Sequence, residues 1–142
     1  MSIQVPPVFR SLINSAAVVF LGWTDTGGFP EVRAMLAPRA RDGSQVFYLT
    51  TNTATRHVAS LRTAPRACLY FCDQARFRAI AFRGTVTLLQ DPESRVLVWR
   101  PGDEILYPLG IHDPDFTVIR FKAESARVYA DSASFDLAVA PS

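Results

Sequence analysis

The chain is poor in several residue types that carry chemistry elsewhere. It has two cysteines, Cys68 and Cys72, and two histidines, His57 and His112, too few to furnish a zinc site. Both cysteines fall in the apolar run 67–72. On a strand, residues four apart share a face but lie about 13 Å apart, beyond disulfide reach, so two small buried thiols are expected. Lys122 is the only lysine, and arginine therefore supplies nearly all the positive charge, a bias suited to bidentate anion contacts. The basic side chains are scattered and the formal net charge is only +2, which argues against a nucleic-acid partner. No apolar run approaches bilayer length, since the longest, 16–22, is too short to span, and no basic flank precedes a long apolar core. The expectation is a cytoplasmic protein with no membrane partner. A Gly-x-Ser-x-Gly elbow, a His-Glu-x-x-His pair and a phosphate-loop Gly-Lys-Ser are all missing, so no catalytic residue is assigned and no metal is expected.

What is present is a globular composition. Apolar residues make up 49% and charged residues 20% of the 142, enough to build a core in one domain spanning 1–142. Pro6 and Pro7 introduce a short amphipathic helix with Val8 and Leu12 at helical spacing. The run 16–23, the turn Asp25-Thr26-Gly27-Gly28 and the segment 29–40 read as a hairpin. After the turn Arg41-Asp42-Gly43-Ser44 comes a third strand, 45–50. A helix over 54–63 follows, with Thr53 as its cap, Val58 and Leu61 facing the core, and Pro65 at its exit. Residues 66–73 and 76–90 read as two strands, the second with Gly84 at a bulge or bend. Asp91 and Pro92 start a helix over 92–99. Segment 101–115, with Pro101, Gly102, Pro108, Gly110 and Pro114, is irregular, and loops of this length are often functional. A final strand, 116–122, resumes after an interruption over 125–130, and 132–142 is a weakly patterned tail. The predicted fold is mainly β with short helices, an antiparallel barrel of about six strands with helical caps.

Segment 45–66 carries the densest chemistry. A buried strand runs into hydroxyl and amide side chains and then into a helix whose first turn holds Thr55, Arg56 and His57. A helix start leaves backbone N–H groups without partners and bears partial positive charge, so these residues make a pocket for a phosphate.

Four signatures then appear in order: Glu31-Val32-Arg33-Ala34-Met35-Leu36 after the Asp-Thr-Gly-Gly turn; Phe47-Tyr48 to Thr55-Arg56-His57, continued by Leu61 and Pro65-Arg66; Phe82-Arg83-Gly84-Thr85-Val86; and a tryptophan-containing helix followed by Tyr107-Pro108 and Asp113-Pro114-Asp115-Phe116. Over residues 8–130 the chain resembles the flavin-binding split barrels related to pyridoxamine 5′-phosphate oxidase, with the last signature closest to the general stress protein branch. The resemblance implies a six-stranded, Greek-key-like split β-barrel and a homodimer with flavin mononucleotide (FMN) at the interface. It implies that Arg33 contacts the flavin phosphate, that Ala34, Met35 and Leu36 run beside the ring, and that Thr50 and Thr51 line it from the next strand. Thr55, Arg56 and His57 occupy the family's Ser-Arg-Lys phosphate position, and Trp99 and the Tyr107 loop are assigned to the mouth. Two departures stand out. His57 replaces the family's lysine, which makes phosphate binding depend on protonation near neutral pH. Ala79 replaces a glutamine that touches the ring in the oxidase branch, so oxidation of pyridoxamine phosphate is not expected. The implied function is a flavin-dependent oxidoreductase acting on an unidentified small molecule or electron donor. The alternatives are a non-catalytic flavin-binding stress protein, or a relative that binds haem, a deazaflavin or nothing.

Overall fold

In the computed structural model, which describes residues 2–141, nearly every strand joins one antiparallel sheet. In chain order the elements are β1 (Ser2–Ile3), α1 (Pro7–Ser15), β2 (Val18–Thr24), β3 (Pro30–Leu36), β4 (Ala40–Asp42), β5 (Val46–Asn52), α2 (Arg56–Thr63), β6 (Arg66–Asp73), β7 (Arg78–Leu89), α3 (Pro92–Val98), β8 (Phe116–Ala130), β9 (Ala133–Asp136) and β10 (Val139–Ala140). The sheet order is β3-β2-β6-β7-β8-β5-β4, with β9 on β8 and β1 paired to β10. The fold is mainly β with short helices, as the pattern of strands and turns predicts.

The two ends of this order are neighbours in sequence. β3 pairs with β2, and after Ala37-Pro38-Arg39 the same chain continues as β4 and pairs with β5. At the corner Ala37 N donates to Ala17 O (3.0 Å), while Arg39 N donates to Tyr48 O (2.8 Å). One bent strand thus serves both edges and curls the sheet into a barrel. Beyond the corner the edges diverge. β3 pairs only with β2, and β5 past Tyr48 pairs only with β8, so the barrel wall has a slot in its hydrogen bonding between β3 and residues 49–52, whose strands are neighbours but not paired.

The barrel is filled by alternate residues: Val19 and Leu21 on β2, Phe47 and Leu49 on β5, Leu69 and Phe71 on β6, Ile80 and Phe82 on β7, and Ile119 and Phe121 on β8, all fully buried. Phe47 lies at its centre, with ring centroids 5.1 Å from Phe82 and 5.5 Å from Phe71. Helix α1 leads straight into β2 and packs on β6 and β7 through Phe9, Leu12 and Ile13. Helix α2 covers the other end of β2, where His57 meets Trp23 (centroids 5.4 Å).

Gly84 is required by its surroundings. The pairing of β7 with β8 shifts between Arg83 and Gly84, so Ser125 faces Arg83, Ala123 faces Gly84, and Glu124 is the extra residue of a bulge. A Cβ on Gly84 would collide with the Lys122 carbonyl, a backbone group that cannot swing aside.

Four expectations are corrected. β8 is one strand from Phe116 to Ala130, because the bulge absorbs the irregularity that reads as a break in sequence. Residues 132–141 are more ordered than their weak patterning suggests: β9 forms a hairpin with β8 through Asp131 and Ser132, both at positive φ without glycine, and Leu137 enters the core. Helix α2 starts at Arg56 with Thr55, not Thr53, as its N-cap, since Thr53 is held by the segment before β8. Cys68 is half-buried and Cys72 exposed, because their face of β6 points away from the core.

Candidate functional site

The slot ends at the start of α2. Thr55 caps that helix by position, yet its hydroxyl makes no capping bond. It donates instead to Asn52 O (2.9 Å) and lies 3.2 Å from His57 Nε2, leaving the first N–H groups of the helix without a side-chain acceptor. Thr51, whose side chain shares the barrel side of β5 with Phe47 and Leu49, reaches the same imidazole nitrogen at 2.7 Å. From the opposite wall, Arg33 sits in register with buried Leu21 and therefore points to the barrel side of β3. Arg56 extends from the first turn of α2 and borders a hollow of about 210 Å³ with Trp23, Glu31 and Ser60. Among the described residues neither Arg33 nor Arg56 has a carboxylate within 4 Å; the ion pairs present are Arg39–Asp103, Arg76–Asp73 and Arg127–Asp136. The guanidiniums of Arg33 and Arg56, two hydroxyls and the helix N–H groups make this end of the barrel rich in donors, the kind of groups that hold a phosphate, and the hollow beside Arg56 is also bordered by the carboxylates of Asp25 and Glu31.

His57 is 1% exposed, and burial followed by the positive charge of Arg33 lowers its pKa to about 4. The imidazole of the ligand-free chain is therefore neutral at pH 7, not titrating near neutrality as its place in the sequence implies. Neutral His57 keeps one N–H and one acceptor nitrogen, and it joins Thr51 to Thr55 as a spacer.

The other sequence-derived candidates fall elsewhere. Strand alternation sends Met35 inward, where it is buried, and turns Ala34 and Leu36 to the outer face. Thr50 also alternates away from the barrel, into a second core formed by Val98, Tyr107, Phe116 and Val118. Trp99 is half-buried in that core, 5.5 Å from Phe116 and 6.2 Å from Tyr107 by ring centroids. Thus Thr51, Thr55 and His57 form one hydrogen-bonded cluster, with Arg33 close enough for its charge to act on His57 and Arg56 adjoining it in the chain, while Ala34, Leu36, Thr50 and Trp99 lie outside it. Trp23 belongs with the cluster through its ring contact with His57; its place two residues before the Asp-Thr-Gly-Gly turn was the available signal.

The 101–115 segment is irregular as expected, but firmly held. Arg39 binds both oxygens of Asp103 (2.9 and 3.2 Å) and Val98 O (3.2 Å), and the Arg100 amide adds a third donor to the carboxylate. Burial alone would raise the Asp103 pKa, yet these donors hold it below the usual carboxylate range. Arg95 reaches Ile111 O and Phe116 O and lies over the Phe116 ring. The segment is thereby tied to the corner that closes the barrel.

The outer face of β2, β3 and β6 is uncovered. Val18, Val32, Ala34 and Leu36 are exposed there, beside half-buried Phe20 and Tyr70. A hollow of about 510 Å³ borders this face, floored by the small residues Gly22, Ala67, Cys68 and Gly84 and rimmed by longer side chains such as Arg66 and Arg83. It shares Trp23 and Glu31 with the smaller hollow beside Arg56.

Among curated proteins none matches the chain. A solved structure from Clostridium acetobutylicum is a protein related to general stress protein 26 of B. subtilis, of the pyridoxinephosphate oxidase family. It is 36% identical, with a TM-score of 0.83 over 91% of this chain and 90% of that one. General stress protein 26 of Bacillus anthracis, 15% identical, superposes with a TM-score of 0.72 over 90% of this chain and 95% of its own. A haem-binding protein from Mycobacterium smegmatis, also 15% identical, gives 0.70 over 94% of this chain and 59% of its own, so these two show the fold alone. The family model for pyridoxamine 5′-phosphate oxidase matches residues 5–130. On that match and on the Clostridium relative, the chain belongs to the pyridoxamine 5′-phosphate oxidase family.

Proposed function

We propose that this protein is a flavoprotein that binds FMN with its phosphate at the start of α2 and serves as a flavin-dependent oxidoreductase. The observation that carries the reading is that Arg33 and Arg56, both without ion-pair partners, flank the Thr51–His57–Thr55 group and the N-terminus of α2, which has no side-chain cap. The donor set fits the group: a phosphate monoester needs several N–H and O–H donors, and Asp115, the carboxylate at the loop before α2, is already occupied by Asn52 and Ala54. Arg33 and Arg56 would hold the phosphate, with Thr51, His57 and Thr55 fixing the pocket wall. The unpaired backbone edges of β3 and β5 offer N–H and C=O groups to the ring's pyrimidine end. When bound, the flavin would supply the two-electron redox chemistry, and the protein's part would be placement and electrostatics.

The uncovered apolar face of β2, β3 and β6 supports the homodimer, because a face of this kind is normally buried against a partner. The small molecule or electron donor would act from the ring side of the slot. Purified protein should be yellow and release one FMN per chain. Colourless protein that takes up no added FMN would sink the reading. A second reading, a flavin-binding stress protein without turnover, is favoured by the name of the Clostridium relative. Anaerobic reduction by a nicotinamide donor separates the two: a rate that saturates with donor marks an oxidoreductase, and a rate equal to that of free FMN marks a binder.

A further inference from the structure

The Asp113-Pro114-Asp115 motif reads in sequence as no more than a turn that starts β8. In the fold it touches the loop that presents the phosphate cluster. Residues 52–55 connect β5 to α2, and since Thr55 is turned back on Asn52 and His57, this loop is shaped from outside. Asp115 does most of the shaping. Its Oδ2 accepts from Asn52 Nδ2 (2.7 Å), its Oδ1 from Ala54 N (2.9 Å), and its backbone oxygen from Thr53 N (2.7 Å). The Thr53 hydroxyl is fixed by Pro114 O (3.0 Å) and Thr117 Oγ1 (2.7 Å), with Gln90 Nε2 donating to Pro114 O (2.9 Å). Asp115 is itself held, because Asp113 accepts from Asp115 N (2.9 Å) and Leu109 N (3.0 Å).

We infer that Asp115 is a positioning residue for the phosphate end of the site: its carboxylate clamps Asn52 and Ala54, and so aims the uncapped start of α2 at the ligand. This rests on the FMN reading above. The chemistry requires a carboxylate. Both partners are donors, so the side chain must accept at both oxygens, which an amide of the same size cannot do. The charge of Asp115 is spent on these bonds, and the two donors hold its pKa below the ordinary carboxylate value.

The test compares FMN with riboflavin, which lacks the phosphate, by flavin fluorescence titration of the full-length protein. Wild type should prefer FMN. Asp115→Asn should lower FMN affinity roughly tenfold, the order of one charge-assisted hydrogen bond, and leave riboflavin affinity unchanged. The exchange Asn52→Asp with Asp115→Asn restores a donor facing an acceptor. It should recover FMN affinity to within about threefold, giving up only the Asn52 bond to Leu106 O (3.2 Å). Should Asp115→Asn not fold, Asn52→Ala takes its place, since it removes one donor and leaves the carboxylate on Ala54. Unchanged FMN affinity, an equal loss for both flavins, or an exchange variant no better than Asp115→Asn overturns the positioning role. A wild type that binds both flavins equally, or neither, overturns the FMN reading itself and the clamp with it.

Discussion

Acid should destabilise this protein earlier than its carboxylates would, and His57 should be the reason. Its pKa is about 4 in the fold against an ordinary 6.5. The unfolded chain therefore binds a proton that the folded chain refuses, and stability present above pH 6.5 is lost as pH falls toward 4. Linkage between these two values gives a loss of about 2 kcal/mol between pH 8 and pH 5, with a ceiling near 3 kcal/mol at lower pH. In a chain of this size about 2 kcal/mol lowers Tm by roughly 5–8 °C. Asp73, Asp91, Asp103 and Asp115 all have carboxyls held below their ordinary value, so their stability is lost only at lower pH. The assay is urea or thermal unfolding of wild type and His57→Gln at pH 8 and pH 5. The introduced amide keeps a donor and an acceptor near Thr51 but does not titrate. The variant should lose less stability than wild type over this interval, by about 2 kcal/mol. Equal losses in the two proteins would refute the reasoning. Saturating phosphate or FMN should flatten the wild-type profile, since a bound anion beside Arg33 favours imidazolium.

Arg33→Ala and Arg56→Ala should each weaken FMN binding about ten- to a hundredfold, one charge-assisted contact apiece, with circular dichroism unchanged. Unaltered affinity in both would remove the phosphate from this pocket. Gly84→Ala should cost about 3 kcal/mol or more, because the new Cβ meets the Lys122 carbonyl; urea unfolding reads it directly. Asp103→Ala should cost about 3 kcal/mol by leaving Arg39 buried and unpaired, whereas Asp103→Ala combined with Arg39→Met should recover much of that loss. Sedimentation of Val32→Lys with Leu36→Lys should show a lighter species than wild type if the outer face of β3 is a dimer contact.

The sequence carries the first hairpin, the barrel class and the start of α3 well, because turn residues such as Asp25-Thr26-Gly27-Gly28 and Asp91-Pro92 act locally, whereas the start of α2 is misplaced because Thr53 is held by Pro114 and Thr117. It carries the β8–β9 hairpin poorly, since Asp131 and Ser132 adopt left-handed backbone without the glycine or asparagine that announces it. The bulge is announced by Gly84, but its extra residue, Glu124, is visible only through the register of β7 and β8. Arg33, Thr51 and His57 come together as their positions imply, because alternation on β3 and β5 fixes which side chains face the barrel. The same alternation parts Thr50 from Thr51, a separation that a cluster of hydroxyls in one dimension hides. The protonation state of His57 also lay beyond the sequence, because it depends on burial against Trp23 and on a guanidinium from another strand.

The bent strand at Ala37-Pro38-Arg39 has a kinetic meaning. One wall of the slot, β3, belongs to a local hairpin with β2, while the other, β5, finds its partner far along the chain, with Asn52 opposite Phe116 and Val46 opposite Lys122. The slot thus needs β5 to find β8, the pairing of greatest sequence separation within the eight-stranded sheet. A ligand held there has nothing to grip in a half-folded chain. Its binding energy should appear whole in the unfolding equilibrium, growing with the logarithm of its concentration.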